Sequence, residues 1–189
     1  MSQTRIVVLV GSLRGASISR QLAEAAVSTA PAGADVSIYE GIGEIPFYNE
    51  DIDVEGSVPA SAGALRDAVG ASDGLLVITP EYNGTLPAVL KNAVDWLSRP
   101  YGAGAISGKP VAILSGSISP NAGKWAHGDS VKSVGIAGGK VVDSAHLHFA
   151  SWGDTFGATH PREHAETQRE LSEALQALVT AASGELVDA

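Results

Sequence analysis

The sequence predicts an α/β protein built on a doubly wound, five-stranded parallel sheet. Short apolar runs rich in β-branched residues alternate along the chain with segments of helical periodicity. Such alternation is typical of a parallel sheet with helices on both faces, and right-handed crossovers then give an open, doubly wound sheet. The chain has 189 residues, which suits one domain of roughly 100–200 residues.

Each predicted strand is a short apolar segment bounded by turn residues. The first is a β-branched run that stops at Gly11, and the third follows the breaking pair Asp73 and Gly74. The second alternates apolar and polar residues, and the last two are again apolar. The predicted strands are residues 6–10, 35–39, 75–79, 111–115 and 141–147.

The predicted helices follow from apolar residues spaced three and four apart. Pro31 and Gly33 end the first helix, and Pro87 suits the first turn of the third. The fourth is only weakly patterned, whereas Leu171 and Leu175 begin a clear stripe in the fifth. The predicted helices are residues 17–29, 61–71, 86–97, 124–136 and 163–182, and residues 183–189 are predicted to be a frayed tail of a single domain spanning 1–189.

Composition excludes several classes of function. Lys and Arg number 12 against 21 Asp and Glu, so the net charge is −9, which disfavours binding to nucleic acid or to anionic membranes. There is no cysteine, which excludes disulfides, iron–sulfur clusters and thiolate chemistry, so redox chemistry requires a bound cofactor. The apolar run before Gly11 is too short for a signal sequence or a membrane span, and we expect a cytoplasmic protein.

Open parallel sheets bind ligands at the carboxyl ends of their strands. This places the site in three segments: the first loop (residues 11–20), the second loop (residues 79–87) and the third loop (residues 115–120).

The first loop has the chemistry of a phosphate cradle. It offers the hydroxyls of Ser12, Ser17 and Ser19, the guanidinium of Arg14 and the free N–H groups of a helix start. The alternative is that Ser17 only caps the helix and Arg14 is solvated. The loop matches neither a GxGxxG fingerprint nor a Walker A motif.

The second and third loops carry weaker signals. Pro80 and the pair Asn83–Gly84 give the second loop a stiff, tight path whose backbone groups can meet the polar edge of a flat heterocycle, with Tyr82 beside it. The alternative is an ordinary strand-to-helix turn. In the third loop, small residues such as Gly116 allow close approach of another group. Trp96, in the helix after the second loop, is predicted to be a packing or interface residue.

Three further patterns are predicted to lack a catalytic or metal role. Residues 70–74 match GxSxG, but a helix precedes them and a strand follows, the reverse of a nucleophile elbow. Residues 160–164 match HxxEH, but Pro161 leaves His160 outside the helix that a zinc site requires. His146 and His148 are predicted to be strand-end or interface histidines on one face of the fifth strand.

Three motifs occur together in this sequence. They are Gly11-Ser12-Leu13-Arg14 followed by Ser17, Pro80-Glu81-Tyr82-Asn83-Gly84 leading into residues 87–96, and Ile45-Pro46-Phe47-Tyr48-Asn49-Glu50-Asp51. Together they resemble the NADPH-dependent FMN reductase family, which includes quinone, chromate and azo-dye reductases. The resemblance covers residues 5–150 and implies a flavodoxin-like sheet of strand order 2-1-3-4-5.

The resemblance also implies which residues bind FMN. The phosphate is expected at Ser12, Arg14, Ser17, Ile18 and Ser19, the ring at Pro80, Glu81, Tyr82, Asn83 and Gly84, and the ring edge at Ser115 and Gly116. No side chain is expected to be catalytic, because the chemistry belongs to FMN, and no metal is expected. Homodimers or homotetramers are usual in the family, although residues 121–123 and 127–134 depart from its common pattern.

The implied activity is electron transfer from NADPH or NADH, through bound FMN, to a small-molecule acceptor. The acceptor is left open among a quinone, a metal oxyanion, an azo compound and free flavin. Three alternatives also remain: a flavodoxin-type electron carrier without NAD(P)H turnover, a reductase that supplies a partner monooxygenase with reduced flavin, and a non-redox sensor of a phosphate ligand.

Overall fold

The structure, a computed structural model, describes residues 3–184 and contains one parallel sheet. Its strands are β1 (Thr4–Val10), β2 (Ala34–Ile38), β3 (Gly74–Pro80), β4 (Pro110–Gly116), β5 (Lys140–Val141) and β6 (Leu147–Phe149). Their order is β2-β1-β3-β4-β5, with β6 also paired to β4, and every pairing is parallel. The predicted fold class and strand order are confirmed.

The prediction of one continuous fifth strand over residues 141–147 is wrong. Two short strands, β5 and β6, occupy that position, and a 3₁₀ turn at Asp143–Ala145 separates them. Asp143 and Ser144 are polar, turn-favouring residues in the middle of the segment. In the described sheet the segment pairs with β4 alone, so the interruption sacrifices hydrogen bonds to one neighbour only.

Six α-helices flank the sheet within residues 3–184. They are α1 (Ile18–Ser28), α2 (Ala60–Gly70), α3 (Ala88–Leu97), α4 (Lys124–Ile136), α5 (Trp152–Phe156) and α6 (Ala165–Ser183). The bounds of α4 agree with the prediction, whereas α5 was not predicted. A 3₁₀ turn at Pro161–Glu163 delays α6 to Ala165, with His164 as its N-cap. Ser183 is still helical, and residues 185–189 of the predicted tail lie outside the described part.

Alternation along the strands gives the sheet two cores. One set of positions, with Ile6 and Val8, packs with α1 and α6, and the other, with Val7 and Leu9, packs with α2, α3 and α4. Both faces are therefore buried, which explains the nearly continuous apolar strands. No helix within residues 3–184 is long and apolar enough to cross a membrane.

Polar side chains of α3 hold the long segment between β2 and α2. The amide of Asn92 accepts from the N–H of Tyr48 at 2.8 Å and donates to the carbonyl of Pro46 at 3.0 Å. The indole N–H of Trp96 also donates to Pro46, at 2.8 Å. Trp96 is fully buried, which confirms that it is a packing residue.

Candidate functional site

The three predicted loops meet at one edge of the sheet, because they follow neighbouring strands. Val10 pairs with Ile78, and Thr79 pairs with Ser115. The hydroxyl of Tyr82 lies 3.5 Å from the hydroxyl of Ser12, so the second loop reaches the first directly.

The first loop contains one hydroxyl that caps a helix and one that lacks a partner. The Ser17 oxygen accepts from the N–H of Arg20 at 3.1 Å, so its capping role is confirmed. Ser19 is buried in the first turn of α1, and within residues 3–184 its hydroxyl has no hydrogen-bond partner. A buried, unpaired hydroxyl is rare, and at a helix N-terminus it is suited to an anion.

The two arginines of the first loop have different environments. Arg20 is paired bidentately with Glu40 at 2.5 and 2.8 Å and with Glu24 at 3.0 Å. The two carboxylates raise the pKa of Arg20. The guanidinium lowers the pKa of Glu40, and His160, followed by Arg20, lowers the pKa of Glu24. Arg14 is exposed and forms no ion pair with any described residue, so its guanidinium is available to a ligand. The pairing of Arg20 with Glu40 was not predicted, because no local pattern joins them.

The first-loop cradle opens onto a cavity of about 340 Å³. Its lining includes Ser12, Arg14 and Gly15 together with Arg20 and Glu40. Ile18, the remaining predicted phosphate-binding residue, is half-buried at the start of α1.

The second loop is a tight turn with fixed backbone directions. Asn83 and Gly84 have φ angles of 52° and 77°, and Tyr82 and Thr85 exchange backbone hydrogen bonds of 3.1 and 3.2 Å. This is the geometry that an Asn-Gly pair favours. Pro80 is buried, whereas Tyr82 and Asn83 are exposed, so the turn presents its backbone and the tyrosine ring at the sheet edge.

The carboxylate of Glu81 caps the N-terminus of α4. It accepts from the N–H groups of Trp125 and Ala126 at 3.0 and 3.3 Å, and the amide of Asn121 lies 3.5 Å away. Sequence reasoning placed Glu81 in the site but did not predict this capping role, because 44 residues separate it from Trp125. Its side chain therefore fixes the loop, and its backbone remains at the site.

The Ser115 side chain at the start of the third loop has its hydrogen-bond partners within the protein. The buried hydroxyl of Ser115 donates to the carbonyl of Ala122 at 3.0 Å and lies 2.8 Å from Nδ1 of His148. At Gly116, an added Cβ would overlap the ring of Trp152. The indole of Trp152 therefore occupies the space that the absent side chain of Gly116 leaves. A ligand could contact Gly116 through its backbone.

Three histidines cluster beside Ser115. The ring of His127, on α4, lies 4.5 Å from that of His146 and 4.2 Å from that of His148, between ring centroids. Burial and the two neighbouring imidazoles lower the pKa of His127 to about 3, and burial also lowers the pKa of His148. No group of potential ligands among residues 3–184 is arranged to hold a metal ion.

The other two histidines have structural partners. His160 lies 3.1 Å from Glu24, and His164 caps α6, so the two do not share a helical face. Within residues 70–74, the Ser72 hydroxyl is buried and donates to the carbonyl of Val69 at 2.8 Å, between the end of α2 and the start of β3. The predictions that HxxEH and GxSxG are coincidental agree with this geometry.

Apolar side chains surround the site. Leu13, Tyr82 and Ile118 come from the three loops, and Trp125 comes from the start of α4; each is at least half exposed. A groove of about 1160 Å³ runs between α3 and α4, beginning at Tyr82 and Asn83. The site therefore combines a polar cradle with an apolar rim.

Comparisons with known proteins agree with this arrangement. A quinone reductase of Pseudomonas putida KT2440 is 47% identical over 123 residues, covering 65% of this chain and 64% of its own length. A 2-hydroxy-1,4-benzoquinone reductase of a Burkholderia species is 45% identical over 114 residues, covering 60% of this chain and 61% of its own. The matched segments thus span less than two thirds of these relatives.

A solved structure resembles the whole fold. It is FerB, a flavoenzyme NAD(P)H:(acceptor) oxidoreductase from Paracoccus denitrificans, with a TM-score of 0.82 and 28% identity, covering 96% of this chain and 98% of that one. The family described as NADPH-dependent FMN reductase matches residues 4–154, which include all three loops. The chain therefore belongs to the NADPH-dependent FMN reductase family.

Proposed function

We propose that the protein is an FMN-dependent NAD(P)H oxidoreductase that passes electrons from NADPH, or NADH, to a small-molecule acceptor. The observation that carries this proposal is the unpaired, buried hydroxyl of Ser19 at the N-terminus of α1, with the available guanidinium of Arg14 in the same loop. This donor set suits the phosphate of FMN, and the turn at residues 82–85 stands beside it.

The first loop would hold the phosphate of FMN. Ser12, Ser19 and Arg14 supply donors, while Ser17 and Ile18 place the backbone N–H groups at the start of α1. The partial positive charge of a helix N-terminus favours a dianion there. Arg20 is neutralised by Glu24 and Glu40, so Arg14 is the arginine of this loop that we assign to the phosphate.

The second and third loops would hold the isoalloxazine ring. The backbone of Pro80, Glu81, Tyr82, Asn83 and Gly84 would meet its polar edge, and the backbone of Ser115 and Gly116 would lie at the far edge. When bound, FMN supplies two-electron redox chemistry between a reduced nicotinamide nucleotide and an acceptor. The protein binds and orients these groups, and no side chain needs to act as a nucleophile.

The acceptor that we favour is a quinone. The apolar rim of Leu13, Tyr82, Ile118 and Trp125 suits a flat, weakly polar molecule. The names of the two relatives, a quinone reductase and a 2-hydroxy-1,4-benzoquinone reductase, support the same class.

We propose that the protein forms a homodimer or homotetramer and that the groove between α3 and α4 is an interface between its subunits. Trp125 and Ile136 are exposed along α4, and the groove carries both signs of charge, with Lys132 and Asp129 on one wall. A two-fold interface pairs a patch with itself, and mixed charges allow such pairing. The substitution Ile136→Glu should shift the mass measured by light scattering to that of the monomer. We retain the cytoplasm as the predicted compartment.

A visible spectrum tests the proposed function. The purified protein is examined with and without added FMN and then treated with NADPH under anaerobic conditions. A bound flavin spectrum that NADPH bleaches supports the reductase, and a benzoquinone then restores the oxidised spectrum. Bound flavin that NADPH leaves oxidised would favour the electron carrier, and a protein that binds no FMN would contradict the proposal.

A further inference from the structure

The turn at residues 82–85, at the tip of the second loop, has little support of its own. Tyr82, Asn83 and Thr85 are exposed, and the backbone hydrogen bonds that close the turn within residues 3–184 are the two between Tyr82 and Thr85. A turn this exposed opens readily unless other elements hold it. Its contacts with α4 are therefore the ones that decide where its backbone groups point.

Glu81 ties the start of this turn to α4. Gly123 precedes α4 with a φ of 67° and provides no side-chain cap, and the first turn of the helix contains no acidic residue. The carboxylate of Glu81 fills both roles, since it accepts from the N–H groups of Trp125 and Ala126. A negative charge at a helix N-terminus is favourable, so this contact holds the loop and the helix together.

Thr85 ties the other end of the turn to the same helix. Its hydroxyl donates to a carboxylate oxygen of Asp129 at 2.6 Å. We call the Glu81 contact with Trp125 and Ala126 and the Thr85–Asp129 hydrogen bond the two tethers. Between them, Trp125 lies against the turn: a Cβ placed on Gly84 would be 3.5 Å from the indole ring. The turn is thus attached to α4 at both ends and supported in the middle.

The geometry points to α4 as the element that positions the ring-binding backbone, with Glu81 and Thr85 as positioning residues whose side chains act through the helix. This inference rests on the proposed function, because it concerns how residues 81–84 meet the flavin. It predicts that the Glu81 carboxylate and the Thr85–Asp129 pair influence how tightly the site holds oxidised and reduced flavin. Loosening either tether would free the backbone donors that we assign to the ring.

The test uses Glu81→Ala and Thr85→Val, singly and together, with Glu55→Gln as the matched control. Glu55 is an exposed acid on the segment before α2, far from these contacts in sequence. Three quantities are measured: amide hydrogen exchange of Tyr82 and Thr85 without flavin, the dissociation constant of FMN, and the two-electron midpoint potential of bound FMN.

We expect faster exchange at Tyr82 and Thr85 and roughly tenfold weaker FMN binding in each single variant. We also expect the ratio of the affinities for reduced and oxidised flavin to change about threefold. This moves the midpoint potential by about 14 mV, since a tenfold change in an equilibrium constant corresponds to 29.6 mV for two electrons. Because both tethers hold one turn, the effects on affinity should not add in the double variant. The control should match the unaltered protein in all three quantities.

Other outcomes separate the possible failures. A lower unfolding temperature of Glu81→Ala, with unchanged exchange at Tyr82 and an unchanged potential, would make the carboxylate a helix cap and nothing more, and would overturn the inference. If the unaltered protein binds no FMN, the proposed function fails and the inference fails with it. If it binds FMN and the variants bind it equally at the same potential, only the inference fails.

Discussion

His127 should make the protein sensitive to acid. Its imidazole is buried, and its pKa is lowered from 6.5 to about 3 by burial and by the neighbouring rings of His148 and His146. A histidine whose pKa is lowered by folding favours the folded state above its unfolded pKa. That contribution is lost as the pH falls from 6.5 towards 3, because the unfolded chain takes up the proton first.

The size of this effect follows from the pKa values. One pKa unit corresponds to about 1.4 kcal/mol, so lowering the pH from 7 to 5 should reduce the free energy of unfolding by about 2 kcal/mol through this residue alone. The neighbouring His148 is affected in the same direction, since burial, then His146 and Lys124, lower its pKa. The carboxylate of Asp143, 3.6 Å from His146, is the charge that acts in the opposite direction.

The substitution His127→Phe removes the titrating group and keeps an aromatic ring. Urea unfolding at pH 7 and pH 5, with the protein in the same flavin state throughout, measures the loss of stability on acidification. We expect the variant to lose about 2 kcal/mol less than the unaltered protein. His164→Asn, which retains a capping residue at the start of α6, is the matched control and should lose as much as the unaltered protein. An equal loss in His127→Phe would refute the reasoning.

Three other substitutions give direct readouts. Arg14→Ala should weaken FMN binding by about 2 kcal/mol, as expected for a hydrogen bond to a charged group, measured by quenching of flavin fluorescence. Ser19→Ala should weaken FMN binding as well, yet leave the flavin-free protein as stable or slightly more stable, because it removes an unpaired buried hydroxyl. Gly116→Ala should destabilise the fold by about 1–3 kcal/mol in urea unfolding, since the methyl group would collide with Trp152.

Each of these has a control in the same chain. Arg169→Ala removes an exposed arginine paired with Glu173 on α6 and should leave FMN affinity unchanged; equal weakening by both arginine variants would remove Arg14 from the site. For Ser19, a clear loss of stability without flavin would show that the hydroxyl has a structural partner. Gly128→Ala, where nothing lies within 4 Å of the added Cβ, should stabilise α4 by about 0.5–1 kcal/mol, and similar behaviour at Gly116 would contradict the packing argument.

Much of the fold could be predicted because local sequence patterns determine it. Buried parallel strands are short β-branched runs, and the pattern of residues 6–10 and 75–79 predicts β1 and β3 to within a few residues. The Asn83–Gly84 pair predicts a tight turn, since both residues take positive φ angles readily. The fifth strand was the exception, because an edge position tolerates an interruption that a central strand does not.

The candidate site could be predicted only as far as its loops. Strand order brings the first, second and third loops together, and the sequence alone places Ser12, Arg14 and Ser19 in the first. The sequence does not show that Arg20 forms an ion pair with Glu40. Nor does it show that the unpaired hydroxyl is that of Ser19 and not that of Ser17. Those distinctions depend on side-chain partners from separate elements.

The amino-acid pattern predicts the fold class, the three loops at the sheet edge and the family, because each strand, loop and motif is a short continuous segment. The role of each polar group depends on tertiary packing. Glu81 caps α4, Ser115 meets His148, and the space beside Gly116 is filled by Trp152. These contacts join residues 33 or more positions apart, and such pairings exist only once the sheet and helices have packed.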